Sequence, residues 1–301
     1  MSQKLTPSAV LLLVTATFLW AGNAVVGRAI SEMVPPITLN FIRWSIAFVI
    51  LAFFGGSILR KGSAVWRHWR QYALLGLLGI GMYNALQYMA LQSSSPVNVT
   101  LVNSSMPVWM LLVGRLFFGS SINLRQVGGA VLSLLGVGLV LVGGDVTQLQ
   151  SVRLVIGDVY MLIAVIAWAF YSWLLSRDDH DSALQQNWSM ILLAQVTFGV
   201  MWAGLFSAGE WALTDWHIEW SWGLGLALLY VAIGPAIISF RCWGLGVQRV
   251  GPTMAGFFAN LMPLFAALLS TVFLGEAPKL YHGVAFLLIV GGIIYASRNQ
   301  S

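Results

Sequence analysis

The sequence predicts an all-α membrane protein: ten transmembrane helices in two inverted five-helix repeats around a central cavity. Three observations carry that expectation. The composition is too apolar for a water-facing surface, ten apolar runs have spanning length, and an internal repeat places an odd number of runs in each half.

Composition sets the class. Of 301 residues, 58% are hydrophobic and only 8% charged, and the mean hydropathy is +0.83. A soluble domain carries about 25% charged residues, so most of this surface must face lipid. The net charge of +5 is divided among the gaps between apolar runs. A nucleic-acid reader would gather Lys and Arg on one exposed face, so no nucleic-acid partner is expected. Cys242 is the lone cysteine, which excludes an intrachain disulfide and a cysteine-based metal site. The first apolar run begins at Ala9 and is too long for the core of a signal peptide, so it reads as the first span.

A spanning helix needs about 20 mostly apolar residues. Ten segments qualify: 9–30, 37–58, 72–91, 97–118, 127–143, 156–175, 188–206, 222–246, 252–274 and 282–296. Short connections make neighbours antiparallel. Positive loops stay cytoplasmic. With the N-terminus inside, eleven Lys and Arg fall inside and four outside. The stretch from Arg60 to Arg70 dominates that bias, whereas the longest outside loop carries Glu210, Asp215 and Glu219. Both termini are expected on the cytoplasmic side of a bacterial inner membrane.

The repeat appears on shifting the chain by 156 residues. Pro96 lands on Pro252, Met106-Pro107 on Met262-Pro263, Gly119 on Gly275 and Gly136 on Gly292. A shift of 148 puts Trp20-Ala21 on Trp168-Ala169. The expected units are residues 1–148 and 152–298. With five spans each, the second must be inverted relative to the first. Many secondary transporters have this arrangement and bind their solute near the midplane, between the repeats.

Helix breaks point to the same place. Gly79, with Gly76 and Gly81, interrupts the third span, and Gly234-Pro235 interrupts the eighth at the equivalent position. Pro107 and Pro263 interrupt the fourth and ninth. A proline within a helix frees a backbone carbonyl, which needs a neighbour, water or a ligand inside a membrane. Single breaks are ordinary packing kinks; two matched pairs favour a shared cavity.

Ordered motifs add a family resemblance. Trp20-Ala21-Gly22-Asn23, Arg43-Trp44, the Pro107 and Pro263 helices, and Phe273-Leu274-Gly275-Glu276 followed by Gly283 and Gly292 resemble the drug/metabolite transporter superfamily in its EamA-type branch. Within that branch the chain is most similar to amino-acid exporters of the YddG type. The resemblance covers both halves and implies ten helices around a cavity lined by the first, third, fourth, sixth, eighth and ninth. Ser120 stands where the second repeat has Glu276, so that cue is present in one half only.

Candidate binding residues follow from helical spacing. Trp20 and Asn23 are three apart, as are Trp168 and Tyr171, so each pair shares a face. Tyr83 and Gln87 lie one turn apart on the third span, and Asn103 and Asn260 precede the matched prolines. An asparagine amide both donates and accepts, which suits a carboxylate and an ammonium, and aromatic faces attract an ammonium. The competing roles are belt anchors for the tryptophans and helix-to-helix hydrogen bonds for the amides. Trp66, Trp69, Trp211, Trp216, Trp220 and Trp222 are expected in the belt.

Charged residues within spans are functional candidates by default. Arg43 is expected to be structural, reaching the outer headgroups or pairing with Glu32 or Asp158. Arg241 is gate or anchor, and Glu276 meets the outer interface. No carboxylate falls at mid-membrane, and His68, His180, His217 and His282 lie in loops or at span ends, which argues against a proton relay.

The leading expectation is an exporter of amino acids, aromatic ones included, working by alternating access. Its partners would be that small solute and membrane lipid, with no cofactor and no obligate protein partner. An exporter of another metabolite or drug is the alternative. An integral-membrane enzyme would need converging catalytic groups, and a structural subunit would not need the repeat. Orientation is open to test with Lys61→Cys in a Cys242→Ala background. An impermeant maleimide should label it only after permeabilisation; labelling from outside in intact cells overturns the N-in assignment.

Overall fold

The computed structural model describes residues 5–30, 32–94, 96–144, 155–177, 188–215, 217–274 and 279–298. Every regular element among them is helical. Lipid offers the backbone no hydrogen bonds, so a spanning segment must satisfy its amides within itself. The helices are α1 (Pro7–Ala29), α2 (Pro36–Gly55), α3 (Trp69–Ser93), α4 (Pro96–Ser104), α5 (Met106–Phe117) and α6 (Leu124–Leu141). They continue as α7 (Ile156–Leu175), α8 (Trp188–Leu213), α9 (Trp222–Val231), α10 (Ser239–Phe258), α11 (Met262–Leu274) and α12 (Leu280–Ser297).

Eight of the described helical stretches are long and apolar enough to cross a bilayer, or nine when the pair α4 and α5, bent by 40°, counts as one. One of the eight is a continuous 48-residue run, Trp222–Leu269. At 1.5 Å per residue this is about 72 Å, more than twice the hydrocarbon thickness of about 30 Å. The run turns at Gly251, whose φ of 80° is open to glycine and strained for other residues, and Pro252 follows it. Each side of that turn is long enough to cross.

Packing brings the two halves together in matched pairs. α2 lies along α8, and α6 lies along α12. α1 packs on α10 and α11, and α7 packs on the corresponding α3 and α5. The α6–α12 contact is close because glycine lines both sides. A Cβ on Gly292 would stand 2.6 Å from the Gly129 carbonyl oxygen, and one on Gly129 would meet the Gly292 oxygen at the same distance. Without a hydrophobic force between helices in lipid, such backbone approach is what holds them.

The seventh span differs from expectation. Residues 207–213 continue α8 rather than opening the outside loop, and Glu210 is buried. Its carboxylate accepts from the Ile37 amide at 3.0 Å and from the Thr38 amide and hydroxyl at 2.7 Å each. These amides belong to the first turn of α2, where Pro35-Pro36 leaves no side-chain cap. An acceptor there also meets the positive end of the helix, and this draws the last turns of α8 against α2. Asp158 plays a related part at α7, accepting from the Val155 amide at 2.9 Å, from Ser94 Oγ and from Asn98 Nδ2. Glu276, Trp216, His180 and the 148–152 boundary between the expected units lie outside the described residues.

The glycine contact gives a stability test. Gly292→Ala should cost about 1–3 kcal/mol by overpacking, read as a fall in thermal midpoint in detergent. Its neighbour Gly291 has open space around a Cβ, so Gly291→Ala should be neutral or gain up to about 1 kcal/mol.

Candidate functional site

Two π-helical stretches interrupt the bundle, Leu77–Met82 in α3 and Ala232–Ile238 between α9 and α10. The 156-residue shift carries the first onto residues 233–238, inside the second. π segments disturb the backbone ladder and recur at functional sites. Here the carbonyls concerned are taken by side chains from elsewhere. Asn40 Nδ2 donates to the Ile80 oxygen at 3.0 Å, Trp20 Nε1 to the Pro235 oxygen at 3.1 Å and Ser239 Oγ to the Gly234 oxygen at 3.2 Å. Gly79 faces the Tyr171 ring, where a Cβ would stand 2.8 Å from it. The other break pair is the bend between α4 and α5 ahead of Pro107, and a 3-10 turn, Ala259–Leu261, ahead of Pro263.

An aromatic cluster forms where the π segments meet. Trp168 is its hub, with ring centroids 5.3 Å from Trp20, 4.7 Å from Tyr83, 4.9 Å from Tyr171, 5.3 Å from Phe240 and 5.6 Å from Trp243. Edge-to-face and tilted geometries suit the ring quadrupoles. Trp44 extends the cluster, 4.7 Å from Phe240. The rings pack on one another, with Trp168 and Tyr171 buried.

Amides and hydroxyls surround the rings. Tyr83 donates to Asn103 Oδ1 at 3.1 Å, Tyr171 to the buried Gln195 Oε1 at 2.9 Å and Trp243 Nε1 to Ser172 Oγ at 3.1 Å. Asn260 is fully buried, and neither its amide nitrogen nor its oxygen has a partner. Trp168 Nε1 is also buried and unpartnered. Leaving such groups unpaired is costly, and each can serve a ligand.

Of the eight sequence candidates, the fold brings Trp20, Tyr83, Trp168 and Tyr171 into one cluster and sets Asn103 beside it through Tyr83. Asn23 turns to Arg43, whose Nη1 donates to Asn23 Oδ1 at 3.3 Å. Asn260 sits in the 3-10 break, and Gln87 is half-buried outside the ring cluster. Phe240, Trp243, Trp44 and Gln195 were not anticipated. Phe240 and Trp243 are three apart, just beyond the Pro235 break, so the spacing that selected Trp20 and Asn23 would have found them. Trp66, Trp69, Trp211, Trp220 and Trp222 are exposed, as belt residues are.

Arg43 departs from expectation. It is 1% exposed, so it does not reach the headgroups. Glu32 is exposed, and Asp158 is held by Ser94, Asn98 and the Val155 amide. Arg43 instead holds Asn23 and Tyr88 and lies over the Trp44 ring, 5.2 Å from its centre. At the other end of the bundle Arg241 is exposed and stacks on Trp188 at 4.3 Å, the posture of an anchor.

A bundle of apolar helices, broken at matched points around a buried aromatic and amide cluster, defines the class as a multi-span membrane transporter. The chain belongs to the EamA-like transporter family, whose profile matches twice, at residues 7–142 and 155–298. The aromatic amino acid exporter YddG of Ancylobacter novellus is 26% identical over 297 residues, 96% of this chain and 97% of the relative. The uncharacterized inner membrane transporter YedA of Escherichia coli K12 is 27% identical over 285 residues, 94% and 88% of the two chains. The uncharacterized transporter YyaM of Bacillus subtilis is 25% identical over 257 residues, 84% and 80%. A crystal structure with 24% sequence identity shares the fold, with a TM-score of 0.73 over 97% of both chains.

The cluster's hydrogen bonds are testable individually. Tyr171→Phe leaves Gln195 Oε1 buried without a donor and should lower stability by about 1–3 kcal/mol. Outside the cluster, Tyr230 donates to the Leu19 oxygen at a longer 3.4 Å from a half-buried site, so Tyr230→Phe should change the thermal midpoint less.

Proposed function

We propose that the protein exports amino acids, aromatic ones included, across the bacterial inner membrane by alternating access between two inverted five-helix repeats. The observation that carries the reading is the Trp168-centred cluster. It offers ring faces for an aromatic side chain or an ammonium and amides for a polar head, at the meeting point of the helix breaks. The YddG relative, an aromatic amino acid exporter by name, supports the same substrate class. Ten crossings follow if the 48-residue run divides at Gly251 and α4 and α5 form one broken span. The inverted repeat is supported by the double family match, the aligned π segments and the matched helix pairs. Units ending near 148 and beginning near 152 accord with that match.

On this reading Trp20, Asn23, Tyr83, Asn103, Trp168, Tyr171 and Asn260 line the solute's path, and Gln87 stands at its margin. Charge placement supports cytoplasmic termini. The closed packing of the rings means that a solute enters by parting α1 and α7, which carry Trp20 and Trp168.

The experiment is efflux from liposomes containing the purified protein and loaded with radiolabelled phenylalanine or tryptophan. Efflux should exceed that from protein-free vesicles, and Trp20→Ala, Asn23→Ala and Trp168→Ala should each reduce it about tenfold or more while the protein stays monodisperse. No loaded amino acid moving faster than in protein-free vesicles would end the exporter reading, and unchanged flux in all three variants would remove the site assignment.

A further inference from the structure

We infer that Arg43 binds the carboxylate of the transported solute, which makes a carboxylate a requirement for binding. The inference rests on the proposed amino-acid reading for the solute and on the Arg43 environment for the residue.

Arg43 is the only buried Lys or Arg among residues whose side chains are described, and no described carboxylate lies within ion-pair distance. The two buried acids, Asp158 and Glu210, spend their oxygens on amides and hydroxyls. An unpaired cation within the spans is expensive, and two neutral hydrogen bonds with one indole face do not neutralise it. Both hydrogen bonds come from the same nitrogen, Nη1, to Asn23 Oδ1 and to Tyr88 Oη at 3.3 Å each. Nε is buried and has no partner. Guanidinium groups take carboxylates along an edge, through two parallel N–H bonds, so the edge bearing Nε is open to one.

The neighbouring unpartnered atoms fit the same head group. Asn84 lies one turn before Tyr88 on α3, and its Nδ2 is a second buried donor without an acceptor. Asn40 lies one turn before Arg43 on α2. Its Nδ2 is held by Ile80, and its Oδ1 is a buried acceptor without a donor. Two donors suit the oxygens of a carboxylate, and the acceptor suits an ammonium. The site is continuous with the aromatic cluster. Trp44 follows Arg43 in sequence, packs on Phe240, and Phe240 packs on Trp168. A solute with its carboxylate on Arg43 thus has its side chain directed toward the rings.

Three ligands of matched size separate the possibilities: phenylalanine, 3-phenylpropanoate and phenethylamine. With the full-length protein in detergent, the first two should raise the thermal midpoint and phenethylamine should not. Arg43→Gln should abolish that response and lower phenylalanine efflux at least about tenfold, the scale of a lost charged hydrogen bond. Arg43→Lys keeps the charge without the planar fork, so it should recover part of both. Should Arg43→Gln not fold, the wild-type comparison of phenylpropanoate with phenethylamine decides alone. Equal stabilisation by the amine, no stabilisation by either carboxylate, or wild-type efflux from a folded Arg43→Gln protein overturns the inference. If phenylpropanoate stabilises wild type but not Arg43→Gln while no amino acid moves in liposomes, the exporter reading fails and the carboxylate assignment stands.

Discussion

The structure depends on one constraint: inside lipid, every backbone carbonyl needs a donor from the protein itself. Breaking a helix at that depth creates an obligation for a neighbouring helix. The π segments at Leu77–Met82 and Ala232–Ile238 are therefore also the places where helices are tied together. Asn40 ties α2 to α3 through Ile80, and Trp20 ties α1 to the Pro235 segment. The aromatic cluster stands there because one of its rings supplies such a donor. Breaks, ties and rings are parts of one arrangement.

The same constraint governs the buried charges. Glu210 is tolerated because it meets the free amides at the start of α2, and Asp158 because it caps α7 and holds Ser94 and Asn98. Each acid is satisfied by neutral donors at a helix end. Arg43 is different, because its contacts leave Nε without a partner. A buried group whose surroundings answer only part of its chemistry is one through which a ligand changes the energy most.

Hydropathy made the spans legible, because 20 apolar residues have few alternatives to crossing a membrane. The sixth span, Ile156–Leu175, has the bounds expected of it. The matched breaks were legible because glycine and proline act locally. What escaped depends on partners distant in sequence. Glu210 reads as a loop residue until the α2 amides it caps are known. Arg43 lies close enough to a span end to read as a snorkelling side chain, and only its burial beneath α1 and α3 says otherwise. Phe240 and Trp243 had a visible spacing but no distinguishing chemistry among so many aromatics. Asn23, selected for a ligand's sake, also accepts from Arg43, which its sequence position did not announce.

Equivalent positions of the two halves do not carry equivalent bonds, and the differences have two origins. One lies in the sequence. Tyr83 reaches Asn103, but the residue 156 positions later is Ser239, whose short side chain turns back to the Gly234 oxygen. The counterpart of Asn103 is Ala259, and the adjacent Asn260 is left without a partner. The other lies in the surroundings, since Trp20 and Trp168 are the same residue at matched positions. Trp20 donates to the Pro235 oxygen, while the Trp168 indole nitrogen donates to nothing. The position matched to Pro235 is Gly79, which faces the Tyr171 ring, so the two indoles do not meet equivalent surroundings. Transporters built from inverted repeats move by rocking one repeat or bundle against the other, so their equivalent contacts are not expected to close together. The Trp20–Pro235 bond, made on one side and absent on the other, is one such unequal contact.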